Sequence, residues 1–141
     1  MSRSGYTDDC EQWVLIRWRG AVASAMRGAR GQSFLKEMLA AFDALPERKL
    51  IASGLEVDGN VCALGAVGKA RAMDMRKIDP DDHETVAGAF NLAHAMACEI
   101  MFENDEGARN ETPEQRYERM RRWVDGRIRS AHANHGNHSW R

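Results

Sequence analysis

Apolar residues recur at helical spacing along most of this 141-residue chain, and Gly or Pro closes the runs. This pattern restricts the fold more than any other feature, because apolar positions three and four apart share one face only in an α-helix. Trp13, Ile16, Ala23 and Met26 predict a helix over about 12–26, broken by Gly28-Ala29-Arg30-Gly31. Phe34, Leu35, Met38, Leu39, Phe42 and Leu45 predict a second over about 32–45, ended by Pro46. Residues 49–64 differ. There Asp58-Gly59 lies between the short apolar runs Leu55-Glu56-Val57 and Val61-Cys62-Ala63-Leu64, a strong signal for an antiparallel hairpin. A short helix over about 65–75 is expected to turn Ala66, Val67, Ala70 and Met73 inward.

Asp79-Pro80-Asp81-Asp82 reads as a helix start, since Pro suits the first turn and acids suit the positive end of the helix dipole. Helices over about 82–89 and 92–103 follow. Thr112-Pro113-Glu114-Gln115 opens the last helix, with Thr112 as N-cap and Gln115 completing a capping box. Its stripe is Tyr117, Met120, Trp123, Val124 and Ile128. The expected fold is mainly α (α+β), a compact helical domain with one short hairpin and a helix-turn-helix-like pair. Because a two-stranded hairpin is not stable alone, helices must pack on it.

The length fits one domain, here taken as residues 11–131, between a loosely ordered 1–10 and a flexible 132–141. Apolar content of 43% and charged content of 29% are ordinary for a globular protein. No apolar run reaches about 18 residues and the N-terminal residues lack the apolar stretch of a signal peptide, so a cytoplasmic protein with no membrane span is expected.

Charge is segregated behind a net value of −1. Between Asp79 and Glu106 lie eight carboxylates and no Lys or Arg. Residues 1–36 hold six basic groups against three acids, and residues 107–141 hold eight against four. Opposed patches steer encounters and set register, so the layout points to partners. It also leaves a homo-oligomer open, with the acidic block of one copy against a basic helix of another.

Residues 84–100 have the rhythm of a helix-turn-helix, with Ala87 at the helix contact and the turn near Phe90-Asn91. A DNA-reading second helix exposes basic or amide side chains. This one ends in Glu99, Glu103, Asn104, Asp105 and Glu106, which disfavours a duplex and suits mimicry of a nucleic-acid backbone or a solvated acidic face. Arg17, Arg19, Arg27 and Arg30, with Lys36, form the basic counterpart. The Arg27–Gln32 loop has guanidinium and backbone N–H donors suited to a phosphate, or is a polar turn whose arginines pair with the acids. It lacks the spacing of a P-loop.

Chemistry-bearing motifs are sparse. Cys10, Cys62 and Cys98 are odd in number and far apart, which reads as reduced thiols. Cys62 precedes a helix start and is a candidate nucleophile, with His83 and His94 the only histidines outside the tail available as a base. His132, His135 and His138 recur every third residue, but Gly136 and the asparagines work against a rigid metal site. No metal or cofactor is expected. Trp13 and Trp123 fit the apolar stripes, whereas Trp18, between Arg17 and Arg19, could anchor an interface.

Three segments carry a resemblance: Cys62-Ala63-Leu64-Gly65-Ala66, Glu103-Asn104-Asp105-Glu106 and Thr112-Pro113-Glu114. Together with Ser2–Tyr6, Arg19–Val22 and Arg30–Gln32, they make the chain look like small uncharacterised proteins of bacteriophages and prophages. The resemblance implies a setting, an accessory gene acting inside a bacterial host cell, and no particular reaction. Asn104 and Asp105 either bind for that group or cap the preceding helix and order the loop to Thr112. The expected function is binding without catalysis: inhibition of a host defence system, anti-CRISPR-like, by docking on a host protein complex. The alternatives are a sponge for a phosphate-bearing nucleotide signal at Arg27 and Arg30, a Cys62-dependent enzyme, and a DNA-binding regulator using the Arg-rich last helix.

Overall fold

The computed structural model describes the backbone of residues 12–129 and side chains from residue 16 onward. Six α-helices, one 3₁₀ turn (Met75–Lys77) and one small sheet organise these residues: α1 Gln12–Arg27, α2 Ala29–Ala44, β1 Glu56–Val57, β2 Asn60–Val61, α3 Ala63–Ala70, α4 His83–Phe90, α5 His94–Glu106 and α6 Pro113–Arg127. The mainly helical fold with a single hairpin is as expected. The segments 1–10 and 132–141, with Trp140 and the tail histidines, fall outside the described residues.

The elements follow from local chemistry. The α6 capping box forms as expected: the Gln115 N–H donates to Thr112 Oγ1 at 3.1 Å and the Thr112 N–H to Gln115 Oε1 at 2.8 Å. Asp82 caps α4, accepting from the Thr85 N–H at 3.2 Å and from the Thr85 hydroxyl at 2.8 Å. The antiparallel pair matches Glu56 with Val61 and Val57 with Asn60. Its turn places Asp58 (φ 53°) and Gly59 (φ 82°) in the left-handed region, as a tight hairpin requires.

The core joins Phe34, Leu35, Met38 and Phe42 of α2, Leu64 and Val67 of α3, Phe90 of α4, Met96, Ile100 and Met101 of α5, and Tyr117, Met120 and Val124 of α6. The Tyr117 hydroxyl donates to the Phe42 carbonyl at 3.1 Å, so even this buried polar tip is satisfied. Gln32 ties the end of α1 to the end of α6: its Nε2 donates to the carbonyls of Met26 (2.7 Å) and Arg127 (3.0 Å), and its Oε1 accepts from the Arg129 N–H at 2.7 Å.

Three details differ from the sequence expectations. The break between α1 and α2 narrows to Gly28, and Gly31 lies inside α2, where a Cβ would stand 2.0 Å from the Ala25 carbonyl oxygen. The absent side chain therefore permits the close approach of the two helices, and the residue acts as a contact rather than a breaker. Ile16 and Ala70 face solvent, Ile16 with 62% of its surface exposed. α3 begins two residues early, because Cys62 serves as its N-cap, and stops at Ala70, before Met73. Trp18 lies half-buried, edge-on to His94 at 5.5 Å between ring centres.

Candidate functional site

The residues singled out from the sequence sort into three places. The first is the C-terminal end of α5. Asn104 is fully buried. Its Oδ1 accepts the Ala63 N–H at 3.0 Å, and its Nδ2 donates to the Ile51 carbonyl at 2.9 Å and to Asp105 Oδ1 at 2.8 Å. Asp105 Oδ1 also accepts the Ser53 N–H at 3.0 Å. The Asn104 carbonyl receives Arg116 Nε at 3.0 Å and an Arg119 terminal nitrogen at 3.3 Å. Asn104 and Asp105 thus pin the 51–53 loop and the start of α3 to α5, and the arginines of α6 close the junction.

Electrostatics at this junction pull in opposite directions. Glu111, whose side chain is 7% exposed, meets Arg119 at 2.7 Å and Arg116 at 3.2 Å. The hydrogen bond from Arg119 holds its carboxyl below the usual range. Glu103 has only a loose contact with Arg119, at 3.7 Å. Burial, helped by the charge of Glu99, pushes its carboxyl up against the opposing pull of Arg119 and Arg127. Of the five acidic-segment candidates, Glu106 is exposed, Glu99, Glu103 and Asp105 are half-buried, and Asn104 is inside.

The second place is the α1–α2 turn. Arg17, Arg19, Arg27 and Arg30 are all exposed on α1, the turn and the start of α2. Arg30 reaches Asn91 Oδ1 at 3.5 Å, joining this turn to the one between α4 and α5. Asn91 can form that turn because its left-handed backbone (φ 56°) ends α4. A groove of about 250 Å³ opens between the two turns, lined among others by Ser24, Gly28, Arg30, Leu92 and Met96. The N-cap of α2 is Gly28, which has no side chain to satisfy the first N–H groups of the helix.

The third place lies outside the sequence expectations. The α4–α5 corner bends by 107°, and it brings His83, the first residue of α4, onto His94, the first residue of α5. Their rings lie 4.5 Å apart, with His83 Nδ1 facing His94 Nε2. Cys98, one turn further along α5, places its Sγ 3.6 Å from the same His94 nitrogen. All three donor atoms lie within 4.8 Å of one another. Burial pushes the Cys98 thiol up to about 11. Burial, reinforced by the neighbouring His83, lowers the His94 value, while Glu84 acts in the opposite sense. The His94-x-x-x-Cys98 spacing is visible in the sequence, because residues four apart share a helix face. Its meeting with His83 depends on the Asn91 turn.

Cys62, the other thiol considered, is fully buried, and its Sγ accepts the Gly65 N–H at 3.3 Å. The histidine pair lies against Cys98 instead. No protein-family model matches the chain, and neither does any curated protein or solved structure.

Proposed function

We propose that this is a phage-type accessory protein that works by docking on a protein complex of the host, with inhibition of a defence system as the outcome. The observation carrying the reading is that charged groups of both signs stay exposed in the folded chain. Arg17, Arg19, Arg27 and Arg30 stand exposed on the α1–α2 edge, while Asp79, Asp81, Asp82 and Glu84 are exposed before and at the start of α4 and Glu106 is exposed at the end of α5. Surface fields of opposite sign set the rate and register of encounter with a partner. The buried, capping role of Cys62 gives a nucleophilic mechanism no support.

The test is a pull-down of the tagged full chain from its bacterial host, with three forms compared. Wild type is expected to bring down one stoichiometric complex. Arg19/Arg27/Arg30→Glu and Glu99/Glu106→Lys then identify the docking face, since one of them should abolish capture while leaving the protein folded. Capture unchanged in both, or no macromolecular partner at all, refutes the docking reading.

A second reading has its own observation: the groove between the two turns is lined by Arg30 and by the glycine-led first turn of α2. It is small next to typical ligand pockets of about 300–1,000 Å³, and so suits a phosphate-sized group of a nucleotide signal. Stabilisation by cyclic nucleotides or ADP-ribose in a thermal-shift assay, lost in Arg30→Ala, would support it over docking.

A further inference from the structure

We propose that the α4–α5 corner is a transition-metal site of the zinc class, with His83 Nδ1, His94 Nε2 and Cys98 Sγ as its three protein ligands. Distance and donor chemistry converge. The donors come from two helices yet lie within 4.8 Å of one another. Their chemistry, two imidazoles and one thiol, is the borderline-soft set that zinc, cobalt and copper select over calcium or magnesium. The His94–Cys98 distance is 3.6 Å, against about 3.6 Å for the N···S edge of a tetrahedron with a metal–nitrogen bond of about 2.05 Å and a metal–sulfur bond of about 2.3 Å.

The surroundings suit such a site. His94 is held edge-on by Trp18 of α1, which sets its ring orientation. The facing nitrogens of His83 and His94 stand too close to share an ion, so His83, half-exposed at the start of its helix, has to rotate to admit one. Cys98 is anchored inside the core. Binding breaks the Cys98 S–H bond, sends that proton to solvent, forms the metal–sulfur bond, and uses both imidazoles in their neutral form. Three protein ligands leave the fourth tetrahedral position to water, on the side of the half-exposed histidines. Spanning both helices, the ion fixes the corner that also supplies Leu92 and Met96 to the neighbouring groove.

Cobalt(II) is the test probe, because a thiolate ligand gives a charge-transfer band in the near ultraviolet and tetrahedral coordination gives strong visible absorption. Full-length protein, stripped with chelator, is titrated with Co²⁺ and then with Zn²⁺ in competition. One equivalent with a thiolate band is expected. Cys98→Ser should remove the band, and His83→Gln and His94→Gln should each weaken binding by more than about 100-fold, above the 10–100-fold typical of outer-shell changes. The Cys10/Cys62→Ser and His132/His135/His138→Ala variants should keep the band, which separates this site from the other thiols and from the tail. Circular dichroism identifies any variant that fails to fold, and Cys98→Ser, the most conservative change, then decides. Absence of a thiolate band in wild type, its survival in Cys98→Ser, or unchanged affinity in both histidine variants overturns the proposal.

Discussion

Replacing Asn104 should unlock the junction of α5, α3 and the 51–53 loop. In Asn104→Ala the Ala63 N–H loses its acceptor and the Ile51 carbonyl loses its donor. Ala63 is completely buried, so water cannot substitute at the first of these groups. At about 1–3 kcal/mol for a buried group left unsatisfied, the Ala63 N–H alone costs about 1–3 kcal/mol, and the half-buried Ile51 carbonyl adds a smaller amount. That is a large share of the roughly 5–15 kcal/mol that holds a domain folded. Asn104→Asp is the sharper probe. It keeps the shape and the acceptor for Ala63, but it loses the donor to Ile51 and faces the Asp105 carboxylate with a second one. At neutral pH it should cost at least as much as the alanine. In acid it should recover part of the loss, because the introduced carboxyl, once protonated, can again donate to Ile51. Urea denaturation followed by circular dichroism measures both, with the midpoint falling by about 1 M or more for a slope of about 1–3 kcal/mol per molar. A loss below about 1 kcal/mol for the alanine, or an aspartate variant as stable as wild type at pH 7, refutes the reasoning.

Two further outcomes follow from the same region. Gly65→Ala should be severely destabilising in thermal melts, since its Cβ would lie 1.9 Å from the Leu55 carbonyl oxygen and the backbone there has to shift. Glu111 and Glu103 should respond to pH with opposite sign: the lowered Glu111 value gives stability present above the unfolded carboxyl range and lost as pH falls through the folded value, while the raised Glu103 value gives stability present in acid and lost as pH rises through it. Glu111→Gln should therefore lower, and Glu103→Gln raise, the urea midpoint at pH 7. Equal shifts of one sign would contradict the assignment of Arg119 to Glu111.

The helices were legible because their stripes follow a period that local geometry enforces, and the Thr112 cap and the Asp58-Gly59 turn were legible because each needs a particular residue at a particular offset. Gly31 misled because a glycine in a polar loop reads as a breaker, whereas here the missing Cβ lets Ala25 approach. Ile16 fits the spacing of its stripe yet faces solvent, since periodicity fixes the angle of a face and leaves open which part of the helix is covered. Asn104 is singled out in the sequence as a residue that binds or caps α5 and orders the loop to Thr112, but the segments it holds were not legible. Its partners Ala63 and Ile51 are 41 and 53 residues away, and no local pattern reports such distances. The histidine pair was hidden for a related reason: His83 and His94 are 11 residues apart, and only the sharp corner at Asn91 makes them neighbours.

The sequence segments Cys62–Ala66, Glu103–Glu106 and Thr112–Glu114 meet at one junction. Cys62 caps α3, the Ala63 N–H is held by Asn104, and Gly65 passes beneath the Leu55 carbonyl. The Leu50 N–H donates to the Pro113 carbonyl at 3.0 Å, while Arg116, one turn on, donates to the carbonyls of Leu50 and Asn104. Those motifs thus specify how the hairpin, α3, α5 and α6 lock together. Under the docking proposal, partner choice falls to residues outside this junction, chiefly the exposed arginines of α1 and the α1–α2 turn and the exposed acids at α4 and Glu106. It follows that loss of binding in an Asn104 or Asp105 variant reports unfolding before it reports recognition. Only reversals at the exposed charges, made on a protein shown to keep its melting transition, separate the surface that selects a partner from the junction that holds the fold.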